Sequence, residues 1–252
     1  MNRWALFLVI ILLFFQKAVA EEADSILKRA NELYQKQNFA ESSKLYKTII
    51  NKGYKSAEVY FNLGNAYFRM NQIPKAILSY ERAKKIAPGD DDIDFNLKIA
   101  NLKIVDKIEP VPKFFLTVWL ESIANMFSSA AWSAISIIFI WLLFISVAVF
   151  YVSWSSLIKR ISFGIGIISI IMIISTMLFA AKMSNYEESN INAIIFLQNV
   201  YVKSSPDEGS TDLFILHEGA KVEILDELGT WKKIKLANGS IGWLPENSIE
   251  II

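Results

Sequence analysis

The order of hydrophobic and polar positions divides the chain into four stretches. Between residues 23 and 107 apolar side chains recur at three and four spacing, the period of helices that bury one face. Five helices are predicted, 23–37, 39–52, 56–70, 73–87 and 91–107, with breaks at Asn38, Asn51-Lys52-Gly53, Asn71-Gln72 and Pro88-Gly89. Gly and Asn tolerate the left-handed conformation that closes a helix, and Pro interrupts helical hydrogen bonding. Asp90 to Asp92 supply an N-cap and favourable charge for the fifth helix.

Residues 134–154 and 161–181 contain no Asp, Glu, Lys or Arg, and each has about the 20 residues that a helix needs to cross a bilayer. They are predicted to be two transmembrane helices joined by a turn at 155–160 (SSLIKR), so short that the second helix returns to the side on which the first began. The flanking domains therefore share one compartment. Lys159 and Arg160 place the turn in the cytoplasm, because translocating a short basic loop is disfavoured. Asn2 and Arg3, the apolar run Trp4 to Phe15 and Ala18-Val19-Ala20 read as a signal peptide over 1–20. An uncleaved anchor is the alternative, and it leaves the remaining topology unchanged. The predicted location is the bacterial inner membrane, with both soluble domains periplasmic.

Residues 109–133 lead into the first of these helices. Pro110 and Pro112 end the helical array, after which Phe114, Phe115, Val118, Trp119, Ile123 and Phe127 recur at helical spacing. An amphipathic segment beside a membrane is expected to lie along its surface, with Trp119 and Trp132 suited to the headgroup boundary. A simple extension of the first membrane helix is the alternative.

The last stretch changes period. Short runs rich in Ile, Val, Leu and aromatics predict strands at 193–197, 200–203, 212–216, 221–227, 231–235, 241–244 and 249–252. Asn238-Gly239 favours a two-residue hairpin turn. The segment from V-Y-V-K-S-S-P through G-T-W-K-K-I-K-L-A-N-G-S-I-G-W-L resembles the bacterial SH3-like domain, chiefly through Gly219, Trp231, Gly239, Gly242 and Trp243. The resemblance implies a small all-β barrel over 192–252 that binds peptides, partner proteins or cell-wall peptides. Trp231 and Trp243 are its groove candidates; turn and core positions are the other reading of both.

A shift of 34 residues superposes the first helices on one another. Tyr60, Leu63, Gly64, Tyr67, Ala76, Tyr80, Ala83 and Pro88 fall on the tetratricopeptide pattern, and Ile26, Ala30, Leu33, Ser42, Tyr46 and Ile49 occupy the same roles one period earlier. The resemblance implies an all-α domain at 21–108, with repeats at about 22–55 and 56–89 and a capping helix at 91–107. In such a stack the first helix of each pair lines a concave face that grips a peptide or a partner helix. That face should display Lys28, Asn31, Gln35, Phe61, Asn62, Asn65, Arg69, Phe95 and Asn96. Asn31 and Asn62 lie where carboxylate-clamp repeats place ligand-binding asparagines. The clamp's first lysine position holds Leu27, so the likeness implies peptide binding and no C-terminal specificity. Pairing of these asparagines within the stack is the competing reading.

Composition narrows the chemistry. Hydrophobic residues make up 53% of the chain, concentrated in the apolar runs. Residues 21–113 hold 16 Lys and Arg against 13 Asp and Glu, and residues 182–252 hold 6 against 11, so neither domain is basic enough to suggest nucleic acid. There is no cysteine, which removes disulfide and thiolate chemistry. The membrane runs contain no Asp, Glu, His, Lys or Arg, with Ser and Thr in their interior, against a transport or proton-relay role. Gly164, Gly166, Ser162 and Ser169 could admit a close helix neighbour. His217 is the single histidine, at a strand-to-turn junction with no sequence-adjacent group to recruit it, and is read as a surface or turn-packing residue. No nucleotide, metal or nucleophile motif appears, so no enzyme, cofactor or metal is predicted.

Signal peptide, two tetratricopeptide repeats, a Trp-bearing juxtamembrane segment, a tight membrane hairpin and a terminal SH3-like domain together resemble the BatE proteins of the Bacteroides aerotolerance (Bat) group. The resemblance implies a non-enzymatic membrane adaptor. Its partners would be membrane-anchored von Willebrand A domain proteins of the BatA and BatB types and, indirectly, a MoxR-type ATPase. A cell-wall sensor, with the SH3-like domain on peptidoglycan, is the competing hypothesis.

Overall fold

The computed structural model describes residues 22–189 and 191–252, and for 186–189 the backbone alone. The signal-peptide expectation over 1–20 lies outside the described residues. Eight helices precede seven strands among the described residues. Helix α1 covers 22–35, followed by α2 (Phe39–Asn51), α3 (Ala57–Arg69), α4 (Ile73–Ile86) and α5 (Asp91–Asn101). The breaks act as their chemistry dictates. Asn38, Ser56 and Asp90 cap α2, α3 and α5 by accepting backbone N–H groups of the first turn. Gln37 and Asn71, one repeat period apart, both take the left-handed conformation, with φ of 61° and 58°. A Cβ on Gly64 would lie 2.5 Å from the Tyr80 ring, so glycine is what lets α3 approach α4.

Helix α5 stops at Asn101 rather than at residue 107. The Lys107 ammonium donates to the carbonyls of Asn101 and Leu102, both at 2.9 Å, and Ile104 turns inward against α4 and the β domain. Long-range packing overrides local helical period here.

Helix α6 (Phe115–Ala124) is separate from α7 (Ser129–Val152), so the juxtamembrane segment is not an extension of the first apolar helix. Phe115, Val118 and Trp119 stay exposed. Trp132 does not reach outward: it is buried between Phe127 and Phe179, and its indole N–H donates to the Ala124 carbonyl at 2.9 Å. A buried indole needs such a partner, and α6 supplies it.

Helices α7 and α8 (Ser156–Ser189) are each long and apolar enough to cross a membrane, and they pack antiparallel. The turn shrinks to 153–155, because Leu157 to Arg160 already belong to α8. Small side chains form the seam: Ser136 and Ser146 of α7 and Ser162, Gly166, Ser169 and Thr176 of α8 are buried. A Cβ on Gly166 would meet the Ser146 hydroxyl at 3.2 Å, whereas Gly164 faces open space. Most of the large apolar side chains of the pair, among them Ile138, Phe144, Ile168 and Ile171, are exposed.

Strands β1 (Asn192–Ile195), β2 (Asn199–Lys203), β3 (Asp212–His217), β4 (Lys221–Leu228), β5 (Trp231–Lys235), β6 (Ile241–Pro245) and β7 (Ile249–Ile251) form one antiparallel sheet in the order β3-β2-β6-β5-β4-β1-β7. Gly239, at φ 88°, closes the β5–β6 turn at the expected Asn-Gly pair. Alternate residues, among them Ala193, Ile195, Val202, Val222, Ile234 and Leu244, enclose a single core.

The β domain docks on the helical array. Ile194 points away from its own sheet core and is wholly buried among Ala76, Ile77 and Tyr80 of α4 and Leu97 and Ala100 of α5. Phe196, Ile252 and Ile104 pack around it. Polar contacts ring this plug. Lys221 pairs with the buried Glu81 at 2.7 Å, and Arg82 donates to the Ile251 carbonyl at 2.6 Å. His217 has a partner that its sequence neighbourhood does not reveal. Its backbone N–H donates to one Asp106 carboxylate oxygen at 2.6 Å, and Nδ1 lies 2.8 Å from the other. A carboxylate only accepts, so Nδ1 carries the proton. The apolar surface of α4 is thus covered by the β domain as well as by α5.

Candidate peptide-binding face

The first helix of each repeat, α1 and α3, lies beside the next such helix, α3 and α5, and asparagines bridge both junctions. The Tyr46 hydroxyl donates to Asn31 Oδ1 at 2.6 Å, and Asn62 Nδ2 donates to the same oxygen at 3.4 Å. One period later the Tyr80 hydroxyl donates to Asn65 Oδ1 at 2.7 Å, joined by Asn96 Nδ2 at 3.3 Å. The two triads are 34-residue copies of each other. Each tyrosine orients one amide, and that amide orients the next. Burial raises the pKa of both phenols above the ordinary value of 10.0, which keeps them protonated as donors. Tyr46 and Tyr80 therefore belong to the same hydrogen-bonded network as the candidate asparagines, although sequence reading assigned them to packing alone. Their common offset of 15 residues from Asn31 and Asn65 is the signal that could have found them.

The asparagines are paired within the stack, but only in part. Among the described residues the amide N–H groups of Asn31 and Asn65 and the side-chain oxygens of Asn62 and Asn96 remain for a ligand. All four side chains are half-buried, set along the face formed by α1, α3 and α5. An alternation of fixed amide donors and acceptors suits an extended peptide backbone, which offers the same alternation.

The other expected residues divide by exposure. Lys28, Gln35, Arg69 and Phe95 are exposed. Lys28 pairs with Asp24 at 2.9 Å, which holds its pKa up. The Arg69 guanidinium lies 5.1 Å from the centre of the Phe39 ring, which itself meets Tyr34 edge-on. Phe95 is 64% exposed, an aromatic with no cover. Phe61 is half-buried and leans on Tyr80 with ring centres 5.9 Å apart, so part of it belongs to the stack.

On the β domain, Trp231 and Trp243 lie on one face of the sheet with Lys233 between them in register, its ammonium 5.9 Å from the Trp243 ring. Both indoles are half-buried, whereas the inward positions are Ile234 and Leu244. Behind them Lys232 pairs with Glu227 at 2.5 Å and with Glu246 at 3.4 Å, and the Glu227 hydrogen bond raises its pKa. Among the described residues no three His, Asp or Glu side chains come together as a metal-binding set.

The family model "Tetratricopeptide repeat" matches residues 57–90, and "Bacterial SH3 domain" matches residues 198–250. No curated protein matches the chain. Among solved structures it is similar to the Yersinia enterocolitica type III secretion chaperone SycD, crystallised with a peptide of the translocator YopD. The identity is 14% and the TM-score 0.32, over 63% of this chain and 94% of the chaperone. A tetratricopeptide repeat and a bacterial SH3 domain in one chain fit a non-enzymatic binding role with protein or peptide partners.

Proposed function

We propose that the chain is a scaffold of the bacterial inner membrane, in which α7 and α8 span the bilayer as a hairpin and both binding domains stand on the periplasmic side. Three features support this. The outward faces of α7 and α8 are apolar all round, a surface that water penalises and lipid accepts. The start of α7 and the end of α8 lie together, at the end that carries the docked repeats and β domain. Lys159 and Arg160 lie at the opposite end, as basic cytoplasmic turns do.

The observation that carries the binding role is the pair of tyrosine-fixed asparagine triads on the α1–α3–α5 face. In this reading the face holds an extended segment of a membrane-anchored von Willebrand A domain protein, in a Bat and MoxR-associated assembly for envelope or oxidative-stress tolerance. The test is detergent extraction and affinity recovery of the full chain from its own cells. Recovery of von Willebrand A domain proteins is expected, reduced about tenfold in Asn62→Ala/Arg69→Ala, the size of one lost hydrogen bond to a ligand. Unchanged recovery from the double variant sinks the groove assignment. Recovery of peptidoglycan fragments without protein replaces the scaffold by a cell-wall sensor.

A further inference from the structure

Where α4, α6, α8 and the β domain converge there is a cavity of about 280 Å³ whose polar lining is cationic. Lys84 and Lys85 reach it from α4, Lys113 from the segment before α6, Lys182 from α8 and Lys221 from β4, against Glu81 and Glu121. Three of these lysines are neutralised: Lys221 by Glu81, Lys113 by Glu121 and Lys84 by Asp94. Among the described residues Lys85 and Lys182 have no carboxylate partner. Both side chains are exposed, so water screens them from each other, and both are free to turn toward an anion set in the cavity mouth.

Position limits what that anion is. Lys182 and Met183 follow directly on the apolar stretch of α8, and the exposed Phe115 and Trp119 of α6 flank the same end of the hairpin. On the membrane-spanning reading the mouth opens at the level of the lipid phosphates. The volume falls just below the range of drug-sized ligand pockets and suits a headgroup rather than an extended acidic peptide. Met183 and Ile252 add an apolar edge beside the lysines, as an amphiphile requires.

We infer that this cavity binds the phosphate of an anionic glycerophospholipid, held by Lys85 and Lys182. The bound lipid joins α4 to α8 and so ties the repeats to the hairpin. The inference rests on the membrane-spanning reading, and the experiment separates the two. The full chain is first reconstituted with phosphatidylcholine vesicles and tested for flotation after alkaline carbonate washing. Its binding of phosphatidylglycerol against phosphatidylcholine is then measured by native mass spectrometry from nanodiscs.

The wild type should float and prefer phosphatidylglycerol. Lys85→Gln/Lys182→Gln should float equally but lose about thirtyfold of that preference, the factor for two lysines at a membrane surface. Lys85→Arg/Lys182→Arg should keep it, as should Lys44→Gln/Lys47→Gln, two exposed positions on α2. Glycerol 1-phosphate should compete weakly, since it carries the phosphate without the apolar part. Loss of flotation overturns both readings. Flotation with equal binding of the two lipids, or competition by a poly-glutamate peptide better than by glycerol 1-phosphate, overturns the lipid site alone.

Discussion

The chain joins its elements in two opposite ways. Where the β domain meets α4 and α5, the largest apolar side chains go inward: Ile77, Tyr80 and Ile194 are almost wholly buried, ringed by ion pairs. Where α7 meets α8, the large apolar side chains go outward and Ser146, Ser162, Gly166, Ser169 and Thr176 fill the seam. The buried hydroxyls there are satisfied by their own helices, Ser169 by the Ile165 carbonyl and Thr176 by that of Met172, both at 2.8 Å. In water, burying apolar area drives association, so bulk belongs inside. In lipid that drive is missing, and close approach of backbones takes its place. On the membrane-spanning reading proposed above, one chain carries the packing rules of two solvents.

Breaking the first kind of joint should have the larger effect. Ile194→Ala removes a fully buried side chain from the plug, and we expect a loss of about 2–5 kcal/mol. Thermal unfolding should then show the β domain melting apart from the repeats; one unchanged cooperative transition would contradict the docking. Gly166→Val should loosen the hairpin by about 1–3 kcal/mol through overpacking against Ser146, whereas Gly164→Val should cost almost nothing. Cysteine cross-linking across the seam, in a chain with no native thiol, would read the difference.

The smallest effects concern the tyrosine-fixed asparagines. Tyr80→Phe deletes one partly buried hydrogen bond, about 1 kcal/mol. Burial raises the Tyr46 and Tyr80 pKa values in the folded state above the unfolded 10.0, so their contribution is complete below about pH 10 and is lost as pH rises toward the folded values. Denaturation between about pH 9 and pH 12 should show that decline in the helical domain, shallower in Tyr80→Phe. A decline of equal slope in the variant would remove Tyr80 from the cause.

What could be read from the sequence follows the range of each interaction. The 34-residue spacing that relates Asn31 to Asn65 and Asn62 to Asn96 is local to the repeat, and the strands and the Asn238-Gly239 turn fall where alternation and turn chemistry put them. What escaped reading is held from far away. Residues 102–107 leave the helical pattern because Ile104 and Asp106 serve the β domain, the latter by binding His217, 111 residues on. Trp132, amphipathic and beside an apolar run, has the profile of a headgroup anchor and yet is claimed by Ala124 and Phe179. Lys85 and Lys182 are unremarkable until the fold sets them in one cavity.

The three-residue turn at 153–155 is crossed by the backbone and touches no docked surface. Opening the chain there leaves two polypeptides. One carries the repeats, α6 and α7, the other α8 and the β domain, and they meet along the small-residue seam, where Ala124 and Trp132 pack on Phe179 and Met183, and around the Ile194 plug. Fragments 1–154 and 155–252, made separately in one cell, should assemble unaided, since the link that joins them contributes only its effective concentration. The protein is then a natural candidate for use as a split pair, with reassembly reporting at once on the pairing of α7 with α8 and on docking.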